Sequence, residues 1–322
     1  MILVTGGAGY IGSHTLLSVV DAGHEPVTVD NLYYGHRQAV LEGHFVHADL
    51  GDKEALGRLF ETFPIDAVIH FAAFCYVGES VQSPEKYFSN NLVNGLNLLD
   101  AMLEAGVDKI IFSSSCAVYG EPEVIPIPEI HPKNPINPYG MTKLFFEQIL
   151  STYNSAHGLN YVSLRYFNAA GADPEARIGE SHDPETHLIP LVLHTALGNR
   201  DEVKIFGTNY PTPDGTCIRD YVHVCDLAEA HALALSYLLS EGESICLNLG
   251  TGKGHSVREV VEHCQKICER PIPHRDVEPR VGDPPELVSS GDLARKVLNW
   301  APRYSLDEII STAWNWHQNP RF

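Results

Sequence analysis

Residues 1 to 12 constrain the fold more than any other stretch. Ile2, Leu3 and Val4 form a continuous apolar run, the pattern of a strand buried on both faces of a parallel sheet. The turn Thr5-Gly6-Gly7-Ala8-Gly9-Tyr10-Ile11-Gly12 follows, and residues 10 to 21 then show helical spacing, with Ile11, Leu16, Leu17 and Val20 on the sheet-facing side. Gly6 suits a tight turn, Gly9 lets backbone approach a pyrophosphate, and Gly12 allows helix to lie close on strand. Unpaired amides and the helix dipole favour an anion at such a turn.

The next strand, 26 to 29, ends in Asp30, about 20 residues past the glycines, where a Rossmann fold places the acceptor for the adenosine ribose hydroxyls. A carboxylate there repels a 2′-phosphate, so the pattern favours NAD over NADP. Strands and helices keep alternating. Strands are predicted at 44 to 48, 67 to 71, 109 to 112 and 161 to 165, and helices at 52 to 62 and, as one long element, 83 to 105. This order predicts a doubly wound parallel sheet with right-handed crossovers, and the strand at 161 to 165 closes this half of the chain. Asp49, at a strand end, reaches the adenine edge or caps a helix. Small Ala72 and Ala73 let backbone lie against a cofactor, and Asn90 bonds outward to it or caps a neighbouring loop.

From residue 168 to 222 Pro, Gly, Asp and Asn accumulate, with one helix near 188 to 197 and a hairpin expected at Asp214-Gly215. The chain then returns with a helix at 223 to 239 and a strand at 244 to 248. Gly250-Thr251-Gly252-Lys253-Gly254 lacks the phosphate-loop spacing. Ser256 and Glu259 form a capping box, so this is a strand-to-helix turn. Residues 271 to 304 are proline-rich, and an amphipathic helix near 306 to 316 closes the chain. We expect an α/β protein with a Rossmann domain (1–167 and 223–250) and a smaller mixed α/β substrate domain (168–222 and 251–322).

A formal net charge of −19 argues against a general nucleic-acid or anionic-membrane surface. Any phosphorylated ligand must therefore meet local positive charge or backbone amides. Seven scattered cysteines fit reduced thiols in a cytoplasmic protein. No run reaches membrane-spanning length, and a first strand at residue 2 leads us to expect no signal peptide. The 17 histidines form no H-E-x-x-H or Cys/His cluster, so no metal is expected.

The chemistry gathers at Ser113-Ser114-Ser115, at the end of the strand starting at 109, and at Asn137-Pro138-Tyr139-Gly140-Met141-Thr142-Lys143. Asn137 caps a helix that Pro138 opens, and Tyr139 and Lys143, four apart, share a face. A tyrosine acting as base near pH 7 must lose its proton about 3 units below its reference pKa, which takes roughly 4 kcal/mol. A lysine cation and an oxidised nicotinamide ring supply charge of the right sign.

T-G-G-A-G-Y-I-G, D-N-L at 30 to 32, H-F-A-A at 70 to 73, V-G-E-S at 77 to 80, S-S-S-C-A-V-Y-G, N-P-Y-G-x-T-K, R-Y-F-N at 165 to 168 and R-D-Y at 219 to 221 resemble the extended short-chain dehydrogenase/reductase family across essentially the whole chain. Within it, their order is similar to that of the sugar-nucleotide epimerases. The resemblance implies interconversion of UDP-glucose and UDP-galactose, with NAD as cofactor and a homodimer formed through helices near 83 to 105 and 138 to 157. Tyr139 would be the base, Lys143 its electrostatic partner and ribose ligand, and Ser115 the hydrogen-bonding residue at the reacting hydroxyl. Besides the glycines, NAD contacts would be Tyr10, Ile11, Asp30, Asn31, Asp49, Leu50, Phe71, Ala72, Ala73, Asn90 and Phe167. UDP-sugar contacts would be Asn168, His187, Leu188, Lys204, Ile205, Phe206, Arg219, Arg280 and Asp283. Arg219 and Arg280 meet the separate need for positive charge around a diphosphate. Cys75 stands where the family often carries lysine, and Leu287 where the pocket wall beside the sugar is often tyrosine or a small residue.

Rival activities share these motifs. A 4,6-dehydratase would place an acid beside the serine, where this chain has Cys116 and Ala117. Pentose or N-acetylhexosamine 4-epimerases keep nearly every motif. A non-catalytic NAD sensor would need the glycines without Ser115, Tyr139 and Lys143.

Overall fold

The computed structural model describes residues 1–280 and 283–322. In chain order, β1 (Ile2–Thr5) leads through α1 (Tyr10–Asp21) to β2 (Pro26–Asp30) and β3 (His44–His47), and α2 (Lys53–Thr62) leads to β4 (Ala67–His70). Three short helices, α3 (Val77–Gln82), α4 (Pro84–Phe88) and α5 (Asn94–Glu104), precede β5 (Lys109–Ser115). α6 (Pro138–His157) precedes β6 (Asn160–Tyr166) and β7 (Asn168–Ala170), and α7 (Leu188–Ala196) precedes β8 (Val203–Phe206) and β9 (Ile218–His223). α8 (Val224–Leu239) feeds β10 (Ile245–Leu249). The chain ends with β11 (Gly254–Ser256), α9 (Val257–Cys268), β12 (His274–Val277), β13 (Glu286–Leu287), α10 (Asp292–Leu298) and α11 (Leu306–Gln318).

Seven parallel strands make the main sheet, in the order β10-β6-β5-β4-β1-β2-β3. From β1 the chain runs outward to β3, then jumps back to β4 and proceeds the other way. The carboxyl ends of β1 and β4 therefore flank the switch point, where an open sheet of this type forms its ligand crevice. Alternation along β1 decides the two faces. Ile2 and Val4 join α1 and α8 in one buried cluster, while Leu3 joins α2, α5 and α6 in the other. A third cluster unites α7, α9 and α11 around Val192, Val260, Ile310 and Tyr221. Among the described residues no helix is long and apolar enough to cross a membrane.

Two details differ from the sequence reading. The long helix of 83 to 105 is interrupted: Pro84 opens α4, and a π-helical turn spans Ser89–Val93 before α5. There Asn91, buried, receives a bond from Phe74 N at 2.8 Å and donates to Phe74 O at 3.0 Å and to Thr142 Oγ1 at 3.2 Å. The side chain ties the loop after β4 to α6, and the widened helical turn accompanies that placement. No hairpin forms at Asp214-Gly215. β8 pairs with β12, and β9 pairs with β7, β11 and β13. Asp214 Oδ1 instead closes a local turn by accepting from Thr216 N and Thr216 Oγ1, both at 2.8 Å. β10 pairs outside β6, where the helix and strand expected on the chain's return at 223 to 248 join the main sheet. The Ser256/Glu259 capping box is present at the start of α9.

Candidate active site

The turn after β1 is built so that only glycine fits at two points. Gly6 has φ +71°, and a Cβ there would stand 2.7 Å from Ala72 N; one at Gly12 would stand 2.3 Å from Gly6 O. Gly9 caps α1 without a side chain, and the first turn of the helix carries no acid, so its leading amides have no side-chain acceptor. Such an end binds a pyrophosphate. At the end of β2, Asp30 is 8 % exposed and accepts from Ala8 N at 3.0 Å and Leu32 N at 2.8 Å. Burial pushes its carboxyl upward, and each oxygen keeps a lone pair for a ribose hydroxyl. These features fit a dinucleotide.

The flanking candidates divide. Asn31 Nδ2 donates to Asp49 Oδ2 at 2.6 Å, while Asp49 Oδ1 accepts from Gly51 N at 2.7 Å, so Asp49 caps the turn before α2 as well as bordering the strand ends. Ile11 is half-buried against the α1–α8 cluster and Leu50 lies inside the opposite core; the Leu50 carbonyl accepts from Asn97 Nδ2 at 3.1 Å. Tyr10 Oη donates to Gly171 O at 2.6 Å. Phe71 sits beside the His231 ring, and Ala72 lies against Gly6. Ala73 follows, half-buried. Asn90 Nδ2 donates to Asn91 Oδ1 at 3.0 Å.

β5 runs three residues further than its apolar core suggests and delivers Ser115, 8 % exposed, at its carboxyl end. Asn137 Oδ1 accepts from Gly140 N at 2.8 Å and starts α6, with Pro138 at its first turn. One face of that helix presents Tyr139 and Lys143, and Lys143 Nζ lies 5.8 Å from the Tyr139 ring centre. Lys143, 3 % exposed, donates to Ser113 O at 2.7 Å, which fixes the ammonium beneath the strand end. Burial lowers its pKa to about 8, against the opposing influence of Cys75 and Glu147. Burial also pushes the Tyr139 phenol well above its usual range; Cys75 and Tyr166 add to this and the Ser115 hydroxyl opposes it. The Cys75 thiol is itself exposed.

The expected sugar-nucleotide residues lie on β7, α7, β8 and β9 and in the segment between β12 and β13. Asn168 begins β7, His187 is the N-cap of α7, and Leu188 opens that helix. Burial alone would lower the His187 imidazole, but Glu180 and Glu185 together hold it well above its ordinary value. Lys204 is exposed on β8, whereas the Ile205 side chain is fully buried in the core and can offer a ligand only its backbone. The Arg280 guanidinium lies 4.1 Å from the Phe206 ring centre, and Arg219 pairs with Asp283. Buried Phe167 belongs to an apolar cluster with Val118, Tyr119 and Ile127, against which Leu287 packs.

The sequence reading gave no role to Asn91, Glu147 or Arg165. All three are polar residues inside helix or strand patterns, and Arg165 also opens the R-Y-F-N motif. Glu147 follows Lys143 by one helical turn, and Arg165 lies on β6 beside Ser114. Their carboxylate and guanidinium meet at 2.7 Å, each at most 5 % exposed.

A glycine cradle at the switch point of a parallel sheet, with a tyrosine and lysine one turn apart beside a strand-end serine, defines a dinucleotide-dependent site of the short-chain dehydrogenase/reductase kind. The chain matches the NAD dependent epimerase/dehydratase family over residues 2–250 and belongs to that family. It is 52 % identical over 318 residues to the UDP-glucose 4-epimerase of Halalkalibacterium halodurans, covering 98 % of this chain and 95 % of that one. The crystal structure of the UDP-glucose 4-epimerase of Brucella ovis in complex with NAD superposes with a TM-score of 0.96 at 49 % identity, over 98 % of this chain and 97 % of the other. That of Stenotrophomonas maltophila, with bound NAD and formylated UDP-arabinopyranose, gives 0.95 at 40 % identity, over 98 % and 97 %.

Proposed function

We propose that this chain is an NAD-dependent 4-epimerase that interconverts UDP-glucose and UDP-galactose, with Tyr139 as the group that moves the proton on the sugar's 4-oxygen. One observation carries the reading: Tyr139 and Lys143 share a face of α6 beside Ser115, at the strand ends where the glycine turn opens. The epimerase relatives, similar over nearly their whole length, support the substrate pair.

When bound, NAD supplies the hydride acceptor and a positive ring charge. Gly6, Gly9, Tyr10, Ile11 and Gly12 would hold its pyrophosphate, Asp30 and Asn31 the adenosine ribose, and Lys143 the nicotinamide ribose. Asp49, Leu50, Phe71, Ala72, Ala73, Asn90 and Phe167 would line the remainder. The protein's own groups raise the Tyr139 phenol, so the neighbouring cation has to favour the phenolate. As phenolate, Tyr139 takes the proton from the 4-hydroxyl and later returns it, while Ser115 orients that oxygen. Arg219 and Arg280 clamp the diphosphate, and Asn168, His187, Leu188, Lys204, Ile205, Phe206 and Asp283 surround the nucleotide. A fixed UDP end leaves the 4-keto sugar free to turn over, so that both faces of C4 are presented in one site.

Residues 1–167 with 223–250 serve the cofactor, and 168–222 with 251–322 serve the UDP-sugar. The chain works in the cytoplasm as a homodimer through the helical stretch 83 to 105 and α6, and the dimer is supported by the shallow groove of Leu96, Phe145, Ile149 and Tyr153 and by Phe145 and Val93, 41 % and 54 % exposed. Tyr139→Phe is the test of mechanism. It should keep NAD and UDP bound while losing at least about a hundredfold in kcat. Near-normal conversion of UDP-galactose to UDP-glucose by that variant removes Tyr139 from the chemistry.

A further inference from the structure

Between β7 and α7, outside the tyrosine–lysine centre, four side chains of metal-ligating type converge. Glu180, His182, Glu185 and His187 each offer one donor atom, and these atoms lie within 4.8 Å of one another. Glu180 is 4 % exposed, and its Oε1 lies 3.1 Å from His182 Nδ1 and 2.8 Å from His187 Nδ1. Glu185 adds Oε1 at 2.9 Å from His187 Nδ1 and Oε2 at 3.7 Å from His182 Nδ1. A tetrahedral zinc with bonds of about 2.1 Å holds its donors roughly 3.4 Å apart, within the span of these distances.

We propose that Glu180, His182, Glu185 and His187 form a zinc site that fastens the loop before α7 against the cofactor turn. Two imidazoles and two carboxylates are a borderline donor set that suits zinc. Magnesium and calcium call for oxygen donors in larger numbers. Two carboxylates balance the charge of one zinc ion with both imidazoles neutral, so the part-buried donor cluster carries no net charge. All four donors come from eight consecutive residues, so the chain closes a short loop to gather them and loses little entropy.

A separate observation points to a ligand here. Tyr76, 6 % exposed, sets its ring edge-on to His182 at 6.0 Å between centres, and its hydroxyl has no hydrogen-bond partner among the described residues. A buried hydroxyl without a partner leaves hydrogen-bonding capacity for a group that enters beside this loop. The loop is also held from outside, as outer supports of a metal site require: Trp316 Nε1 donates to Glu180 O at 2.9 Å, and the His36 imidazole lies 3.2 Å from Ser181 O. Its inner side meets the cofactor turn, since the Tyr10 ring is edge-on to His182 at 6.3 Å. With Nδ1 on the metal, His187 keeps Nε2 for a ligand.

The test uses the full-length protein, stripped with a chelator, loaded with zinc chloride and freed of excess by gel filtration. Bound zinc is then counted by mass spectrometry. We expect about one zinc per chain, with cobalt(II) giving the strong visible bands of a four-coordinate centre and no thiolate charge-transfer band. Cys75→Ser should retain the ion, and Glu180→Gln combined with His182→Gln should lose it while keeping the far-ultraviolet circular dichroism of the parent. If that double variant does not fold, His187→Gln alone serves, with an expected loss of at least about tenfold in zinc affinity. Zinc bound equally well by a folded variant, a thiolate band with cobalt, or no stoichiometric zinc on the parent overturns the site. The four residues are then imidazolium–carboxylate pairs only.

Discussion

Replacing Glu147 by Gln tests the buried frame that positions the tyrosine–lysine centre. Glu147 Oε1 accepts from Arg165 Nε at 2.8 Å and Ser114 Oγ at 2.6 Å, and its Oε2 accepts from Arg165 Nη2 at 2.7 Å. Arg165 Nη1 reaches the Tyr119 hydroxyl at 2.9 Å, and that hydroxyl donates to Asn248 Oδ1 at 2.6 Å. The chain of bonds joins α6, β5, β6 and β10 one residue from Ser115 and one helical turn from Lys143. Glutamine keeps the shape and one acceptor, but turns the other oxygen into a donor facing a guanidinium that is 2 % exposed. Breaking a buried pair from one side costs about 3–5 kcal/mol, because the remaining charge is stranded, and the retained acceptor places this case near about 3 kcal/mol. Urea unfolding followed by tryptophan fluorescence reads that loss directly. Adding Arg165→Met removes the stranded charge and should restore at least about half of it. Below the unfolding range, kcat should fall about tenfold through displacement of Lys143 and Ser115, and NAD affinity should weaken with it, because Lys143 would hold the nicotinamide ribose. A loss under about 1 kcal/mol, or no recovery with Arg165→Met, refutes the argument from a stranded charge.

Three further outcomes follow from the same geometry. Gly12→Ala would drive a Cβ to 2.3 Å from Gly6 O, so the turn must open and NAD affinity should drop by about 2 kcal/mol or more, roughly thirtyfold, measured by cofactor retained through gel filtration. Lys143 is lowered to about 8 by burial, against 10.5 for an ordinary lysine. Below pH 8 native and unfolded chains both hold the proton and the burial cost is full. Between 8 and 10.5 the unfolded chain binds more protons, so stability relative to Lys143→Met should rise with pH by up to about 3 kcal/mol. A difference between the two proteins that stays constant from pH 7 to 10 removes the buried ammonium from the account. Leu287→Ser should raise the rate on UDP-N-acetylglucosamine relative to UDP-glucose about tenfold, because Leu287 packs on the cluster holding Phe167; an unchanged ratio shows that the side chain is no gate.

The cofactor half of the fold is legible because its signals are local and repeated. Apolar runs at 2 to 4, 67 to 69 and 110 to 112 mark strands covered on both faces, and glycines at 6 and 12 mark contacts that any Cβ would destroy. The Tyr139 and Lys143 pair is legible because four residues make one helical turn, and because Asn137 and Pro138 announce where that helix begins. β7, β11 and β13 are not legible. Each has at most three residues, too few for alternation to show, and each exists because β9 offers it an edge. The π-helical turn at Ser89–Val93 escapes for a similar reason, since Asn91 serves partners far away in sequence, Phe74 and Thr142.

The two polar groupings differ in a more instructive way. Glu147 and Arg165 belong to different elements, and only the register of β5 against β6 and the turn of α6 bring them together. The donors at 180, 182, 185 and 187 are contiguous, so the spacing E-x-H-x-x-E-x-H was on the surface of the sequence, but a search for helical H-E-x-x-H or for cysteines does not match it. Helical spacing places ligands three or four residues apart because a helix fixes their direction. A loop has no such period, and here direction is set by outside anchors, Trp316 on Glu180 O and Tyr10 and Tyr76 against His182. Those anchors come from the cofactor layer and the last helix. The same packing that closes the cleft around the glycine turn therefore also aims the four donors at one point.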